Sequence, residues 1–138
     1  QVKKANEKTL VITQWNIKGV VGASLGETTY TYRSKSSTDP EAVHFGSKLQ
    51  SSIPISCAPT DRWGIARLAP DDILPSPAGD GVTKVKDAKS SGLKQVGGFY
   101  FMRLYPQMSD CPDKGDHDKT LKLDQAYAAL YDSLEEVK

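Results

Sequence analysis

The sequence predicts an α+β fold, an antiparallel β-sheet followed by a C-terminal amphipathic helix and completed by dimerisation. Runs rich in β-branched and aromatic residues recur between residues 9 and 105, with Pro, Gly, Asn and Asp between them. A single apolar stripe follows, in which Leu123, Tyr127, Leu130, Leu134 and Val137 recur at spacings of 4, 3, 4 and 3. A sheet of five or six strands at ~4.8 Å spacing is roughly 25 Å wide, and one helix covers only ~10–12 Å of it. A two-fold mate carrying a second helix across is therefore expected, with those five stripe residues as the dimer interface. The 138 residues suit one domain, 1–138, with strands over 9–105, a connection over 106–119 and a helix over 120–137.

Taken in order, TLVITQWNI, from Thr9 to Ile17, reads as a strand with Val11, Thr13, Trp15 and Ile17 on one face. Gly26 to Ser37 alternates more openly, with Thr28, Tyr30 and Tyr32 on one face and Thr29, Thr31, Arg33 and Lys35 on the other. Thr38-Asp39-Pro40 reads as a turn, and Glu41 to Gln50 fits either a short helix or a strand. SIPISC and RWGIARLAP read as neighbouring strands joined at Ala58-Pro59-Thr60-Asp61. Asp71 to Gly92, rich in Pro, Gly and Ser, reads as a long loop or ragged hairpin carrying Lys84, Lys86 and Lys89. Gln95 to Tyr105 is the strongest strand, with Tyr100, Met102 and Leu104 facing one way and Phe99, Phe101, Arg103 and Tyr105 the other. Aromatics in strands are read here as core rather than as a platform for stacked bases.

Composition narrows the class. Apolar residues make up 38% and charged residues 25%, and no run approaches the ~18 apolar residues of a membrane span. No membrane contact is expected. The opening QVKKANEK has neither an apolar core nor a small-residue cleavage site, so it does not read as a signal peptide. Cys57 and Cys111 fit one disulfide or two thiols. The net charge of +1 is unevenly spread: residues 1–105 hold 14 Lys/Arg against 9 Asp/Glu, and residues 106–138 hold 4 against 8. A basic body on a sheet is what contact with phosphate backbones requires, although charge clusters are most often solvated surface.

The stretch DCPDKGDHDKT, Asp110 to Thr120, is the densest cluster of ligating side chains. An EF-hand register beginning at Asp110 puts Gly115 correctly sixth, but Pro112, Lys114 and Leu121 stand where oxygen ligands belong. Zinc would want more Cys and His than Cys111 and His117 supply. The same residues serve well as a helix start, with Asp118 or Thr120 as the cap, so no metal and no cofactor are expected. GASLG, Gly22 to Gly26, has the form of a nucleophile elbow around Ser24, but a strand rather than a helix is expected after it. His44 lies beside Phe45 and Gly46 with nothing in sequence to tie it to a nucleophile. The chain is not expected to be an enzyme.

KTLVITQ, RWGIARLAP, QVGGFYFMRLYP and LDQAYAALYDSLEEV stand in the places of the first strand, the late strands and the first helix of the coat proteins of single-stranded RNA bacteriophages. The chain resembles that family in length and layout across nearly its whole extent, without an exact motif. The resemblance implies an N-terminal hairpin, an antiparallel sheet and C-terminal helices that interlock with a dimer mate. It also implies a structural coat subunit of a virion that assembles into a shell and binds RNA on a basic sheet face. Arg33, Lys35, Arg62, Arg67 and Arg103 would be the RNA-binding residues. The competing expectation is a secreted β-rich effector or inhibitor-type interaction module with a Cys57–Cys111 disulfide, meeting a protein or glycan. The state of the two cysteines separates the readings.

Overall fold

The computed structural model describes residues 2–4, 9–60, 62–75, 81–87, 92–107 and 111–138, and they form an α+β architecture. Along the chain the strands are β1 (Val2–Lys4), β2 (Thr9–Ile12), β3 (Ile17–Val20), β4 (Thr28–Arg33), β5 (Glu41–Ser47), β6 (Gly64–Leu68), β7 (Ile73–Pro75), β8 (Val82–Lys84), β9 (Lys94–Val96), β10 (Phe99–Leu104) and β11 (Glu135–Glu136). The helices are α1 (Lys48–Ser51) and α2 (Lys114–Asp132). The main sheet runs β1-β4-β5-β6-β10-β9, antiparallel throughout. A smaller sheet runs β11-β3-β2, and β7 pairs with β8 alone.

Two segments read as single strands are hairpins. Within Thr9 to Ile17 the chain reverses over Thr13–Asn16, where Trp15 N–H donates to the Ile12 carbonyl at 3.1 Å and Asn16 takes φ 53°. Asparagine is one of the few residues that adopts this left-handed conformation readily. The reversal shifts the facing, so Leu10, Ile12 and Ile17 are buried and Val11 is exposed. In QVGGFYFMRLY the turn falls at Gly97, with φ 62°, and Gly98, between β9 and β10. Glu41 to Gln50 divides into β5 and then α1, whose N-cap Ser47 accepts from Gln50 N–H at 3.2 Å.

SIPISC is not a strand. Pro54 heads a turn in which its carbonyl accepts from Cys57 N–H at 2.9 Å and Ala58 N–H at 3.0 Å. Asp71 to Gly92 contains the ragged hairpin β7-β8, and Asp61 and Lys89 lie outside the described residues. Helix α2 begins at Lys114 rather than residue 120 and ends at Asp132 rather than 137. Its cap is Asp113, whose carboxylate accepts from Asp116 N–H at 3.0 Å, in place of the expected Asp118 or Thr120.

The apolar stripe of α2 packs inside the same chain. Leu123, Tyr127 and Leu130 are buried along the helix, Leu134 is buried just beyond it, and Val137 is half-buried further on. The first four join Leu10, Ile12, Ile17, Tyr30, Val43, Phe45, Trp63, Ile65 and Phe101 in one core. The coverage deficit that called for a dimer mate is met from within, because the N-terminal hairpin lies beside α2 over the sheet. Trp15 of that hairpin stands 5.5 Å from the Phe101 ring, and Gly19 lies directly under Leu130.

Candidate binding face

Residues paired across antiparallel strands project to the same side, so the registers sort the main sheet into two faces. On the inner face Tyr30 faces Phe45, Tyr32 faces Val43, Val43 faces Ile65, and Glu41, Arg67 and Phe101 form one transverse row. Helix α2 and the hairpin cover this side: Tyr127 stacks 5.2 Å from Phe45, and Tyr131 O–H donates to the Phe101 carbonyl. Burial pushes the Tyr127 hydroxyl up from its usual range, against the opposing effect of the hydrogen bond it donates to Ser47. The outer face carries Thr29, Thr31 and Arg33 on β4, Ala42, His44 and Gly46 on β5, Gly64, Ala66 and Leu68 on β6, and Tyr100, Met102 and Leu104 on β10. Among the described residues it has no helical layer.

The expected RNA-binding residues do not share one face. Arg67 and Arg103 project inward, since Arg67 lies opposite Phe101 and Arg103 opposite Ile65. Each is held by a carboxylate: Arg67 donates to Glu41 at 3.0 and 2.8 Å, and Arg103 to Asp124 at 3.0 Å. Both guanidiniums also lie over rings, Arg67 4.0 Å from the Phe99 centroid and Arg103 4.4 Å from that of Tyr105. Lys35 falls beyond the end of β4 and stands 3.7 Å from Asp72. Arg62 is exposed just before β6, and Arg33 is exposed on the outer face. Strand β4 ends at Arg33, so the alternation that grouped Arg33 with Lys35 does not extend to Lys35.

Cys57 and Cys111 are bonded to each other, S–S 2.00 Å, across 54 residues of chain. The bond fixes the entry to α2 against the turn that follows α1. It removes Cys111 from any ligand set, and Asp113 is engaged in capping. Among the described residues no three His, Cys, Asp or Glu side chains cluster as a metal site would require. Asp110 lies outside the described residues. Ser24 sits in a 3-10 turn, Ala23–Leu25, and strand β4 follows it, so the strand–turn–helix of a nucleophile elbow is not formed.

Two adjoining hydroxyl-lined depressions of about 510 and 420 Å³ share Thr29, Gly46, Ser47 and Ser51 at the end of β5. A smaller cleft of about 290 Å³ lies across the outer face, bounded by Arg33, Asp39, Pro40 and His44 and floored by Ala42, Ala66, Met102 and Leu104. The 420 Å³ depression also meets Phe45, Ile53, Ile55 and Ala58 and the 510 Å³ one holds Lys48, whereas the small cleft sets an exposed guanidinium beside Met102 and Leu104 in one site. Alternation marked Met102 and Leu104 as sharing a side, but only the register shows that two alanines lie level with them. The chain matches no protein-family model, no curated protein and no solved structure.

Proposed function

We propose that the chain is a secreted, disulfide-tied interaction module that engages its partner through the outer face of the main sheet. The observation that carries this reading is the Cys57–Cys111 bond. Structural disulfides persist in oxidising compartments and are rare where glutathione keeps thiols reduced. Two further features support it over the coat-subunit reading. The helix stripe is used within the chain, so the sheet needs no mate to cover it. The cations expected to meet RNA are divided between two faces, and three of them, Lys35, Arg67 and Arg103, already stand against carboxylates.

The coat reading keeps one specific support, the order of N-terminal hairpin, antiparallel sheet and C-terminal helix that the resemblance implies. Purification without reductant separates the two readings. The module reading expects a protein with no alkylatable thiol, monomeric by light scattering, that does not retain RNA at low salt. A large RNA-containing particle would sink it.

A further inference from the structure

We propose that the cleft on the outer face is a binding site for a small apolar monocarboxylate. The inference rests on the interaction-module reading, because it needs that face free, and it names a ligand for it.

The cleft follows from which residues fall level with one another. Arg33 on β4 lies opposite Ala42, Ala42 opposite Ala66, and Ala66 opposite Met102, a single row across four strands. In the neighbouring row Gly64 lies opposite Leu104. The two central strands contribute Ala42, Ala66 and Gly64 together with His44, which lies opposite Gly64 and lines the cleft, while the flanking strands contribute Arg33, Met102 and Leu104, so the surface dips along the alanine row. Gly64 cannot be replaced without loss of this shape, since an added Cβ would lie 2.0 Å from the Val43 carbonyl oxygen. Met102 and Leu104 are half-buried and stand apart from the core, whereas Ala42 and Ala66 between them are buried. Small side chains at the centre of the sheet leave a depression whose accessible walls are Arg33, Met102 and Leu104.

Charge selects the ligand's head. Arg33 is exposed and makes no ion pair among the described residues, in contrast to the inward Arg67 and Arg103. A guanidinium at the rim of an apolar trough suits a carboxylate, whose two oxygens match its planar fork. Asp39 lines the same cleft and sets an upper limit on negative charge, so a phosphate with its second charge is disfavoured. A volume of about 290 Å³ is close to the lower end of known ligand sites and holds on the order of ten non-hydrogen atoms. The tail is thus a short alkyl chain or one ring, lying against Met102 and Leu104.

Amide chemical shifts of the oxidised protein, titrated with hexanoate, 3-phenylpropionate and the neutral hexanamide, test the assignment. Expected are saturable shifts centred on residues 42, 66 and 102, with hexanamide weaker than hexanoate by about 10-fold. Arg33→Gln should bring hexanoate down to the level of the amide, and Asp39→Asn should tighten it. Equal binding of acid and amide to the wild type, or shifts centred elsewhere, would overturn the proposal without recourse to any variant. Absence of shifts in a protein that light scattering shows to be monomeric would overturn the carboxylate site alone. Absence of shifts in an assembled particle that holds RNA would overturn the module reading as well.

Discussion

Glu41 accepts from the Trp15 indole at 2.6 Å, from the Tyr32 hydroxyl at 2.9 Å, and from Arg67 at 3.0 and 2.8 Å. It thereby ties the N-terminal hairpin, through Trp15, to β4 and β6 of the main sheet. Burial alone would raise its carboxyl pKa, but the bonds from Trp15, Arg67 and Tyr32 and the charge of Arg67 outweigh burial and hold it below the usual range. The same contact raises the Tyr32 hydroxyl, for which burial is the larger cause and the bond to Glu41 the next. A carboxyl depressed in the folded state contributes stability that is fully present above its ordinary value of 4.5 and is lost as pH falls through the folded value. Glu41→Gln should therefore cost about 1.5–3 kcal/mol at neutral pH, as expected for losing hydrogen bonds to a charged group. The gap to wild type should narrow as pH falls below 4.5 through the depressed folded value. Urea melts at several pH values measure this, and a gap independent of pH would refute the clasp. Strand alternation puts Glu41 in line with Val43 and Phe45, a carboxylate on an inward face that needs partners, but its segment fitted helix and strand equally. That ambiguity concealed the signal.

The two hairpins show why boundaries were harder to read than faces. Both turns rest on residues that accept positive φ, Asn16 and Gly97, set within runs whose composition is uniformly strand-like. Composition cannot register a reversal that one dihedral produces. The helix stripe was readable residue by residue, yet its partner was not, because periodicity marks a buried side without saying what buries it. Leu130 packs on Gly19 of β3, where an added Cβ would stand 2.6 Å from Leu130 Cδ1 and 3.1 Å from its carbonyl oxygen. Leu130→Ala should cost ~2–5 kcal/mol and leave the mass in solution unchanged. Gly19→Ala should cost ~1–3 kcal/mol, by forcing the helix off the hairpin. Light scattering alongside thermal melts checks both, and a fall in mass for Leu130→Ala would restore the stripe as an interface between copies. Lys94 donates to the Asp132 carbonyl at the C-terminal end of α2, where a cation complements the helix dipole.

At the scale of the whole molecule, the disulfide connects the two ends of the argument about compartment and fold. The sequence supplied both cysteines but no geometry, and a pairing needs their separation in space, which arises only once the Pro54 turn and the start of α2 are placed. The outer cleft was hidden for the same reason, since its row of residues comes from four strands whose register no local pattern encodes. Closing a loop across 54 residues removes chain entropy from the unfolded state, worth about 4 kcal/mol in the simplest treatment. Strands and helix otherwise share one core, so reduction should lower the melting temperature by on the order of 10 °C without dividing the transition. Cys57→Ser with Cys111→Ser should reproduce the effect, and the double variant should stay monomeric and keep its hexanoate shifts, because neither cysteine lines the cleft. Calorimetry of oxidised, reduced and double-variant protein measures this. A melting temperature unmoved by reduction would mean that the bond constrains nothing, and the compartment reading would then lose the observation on which it stands.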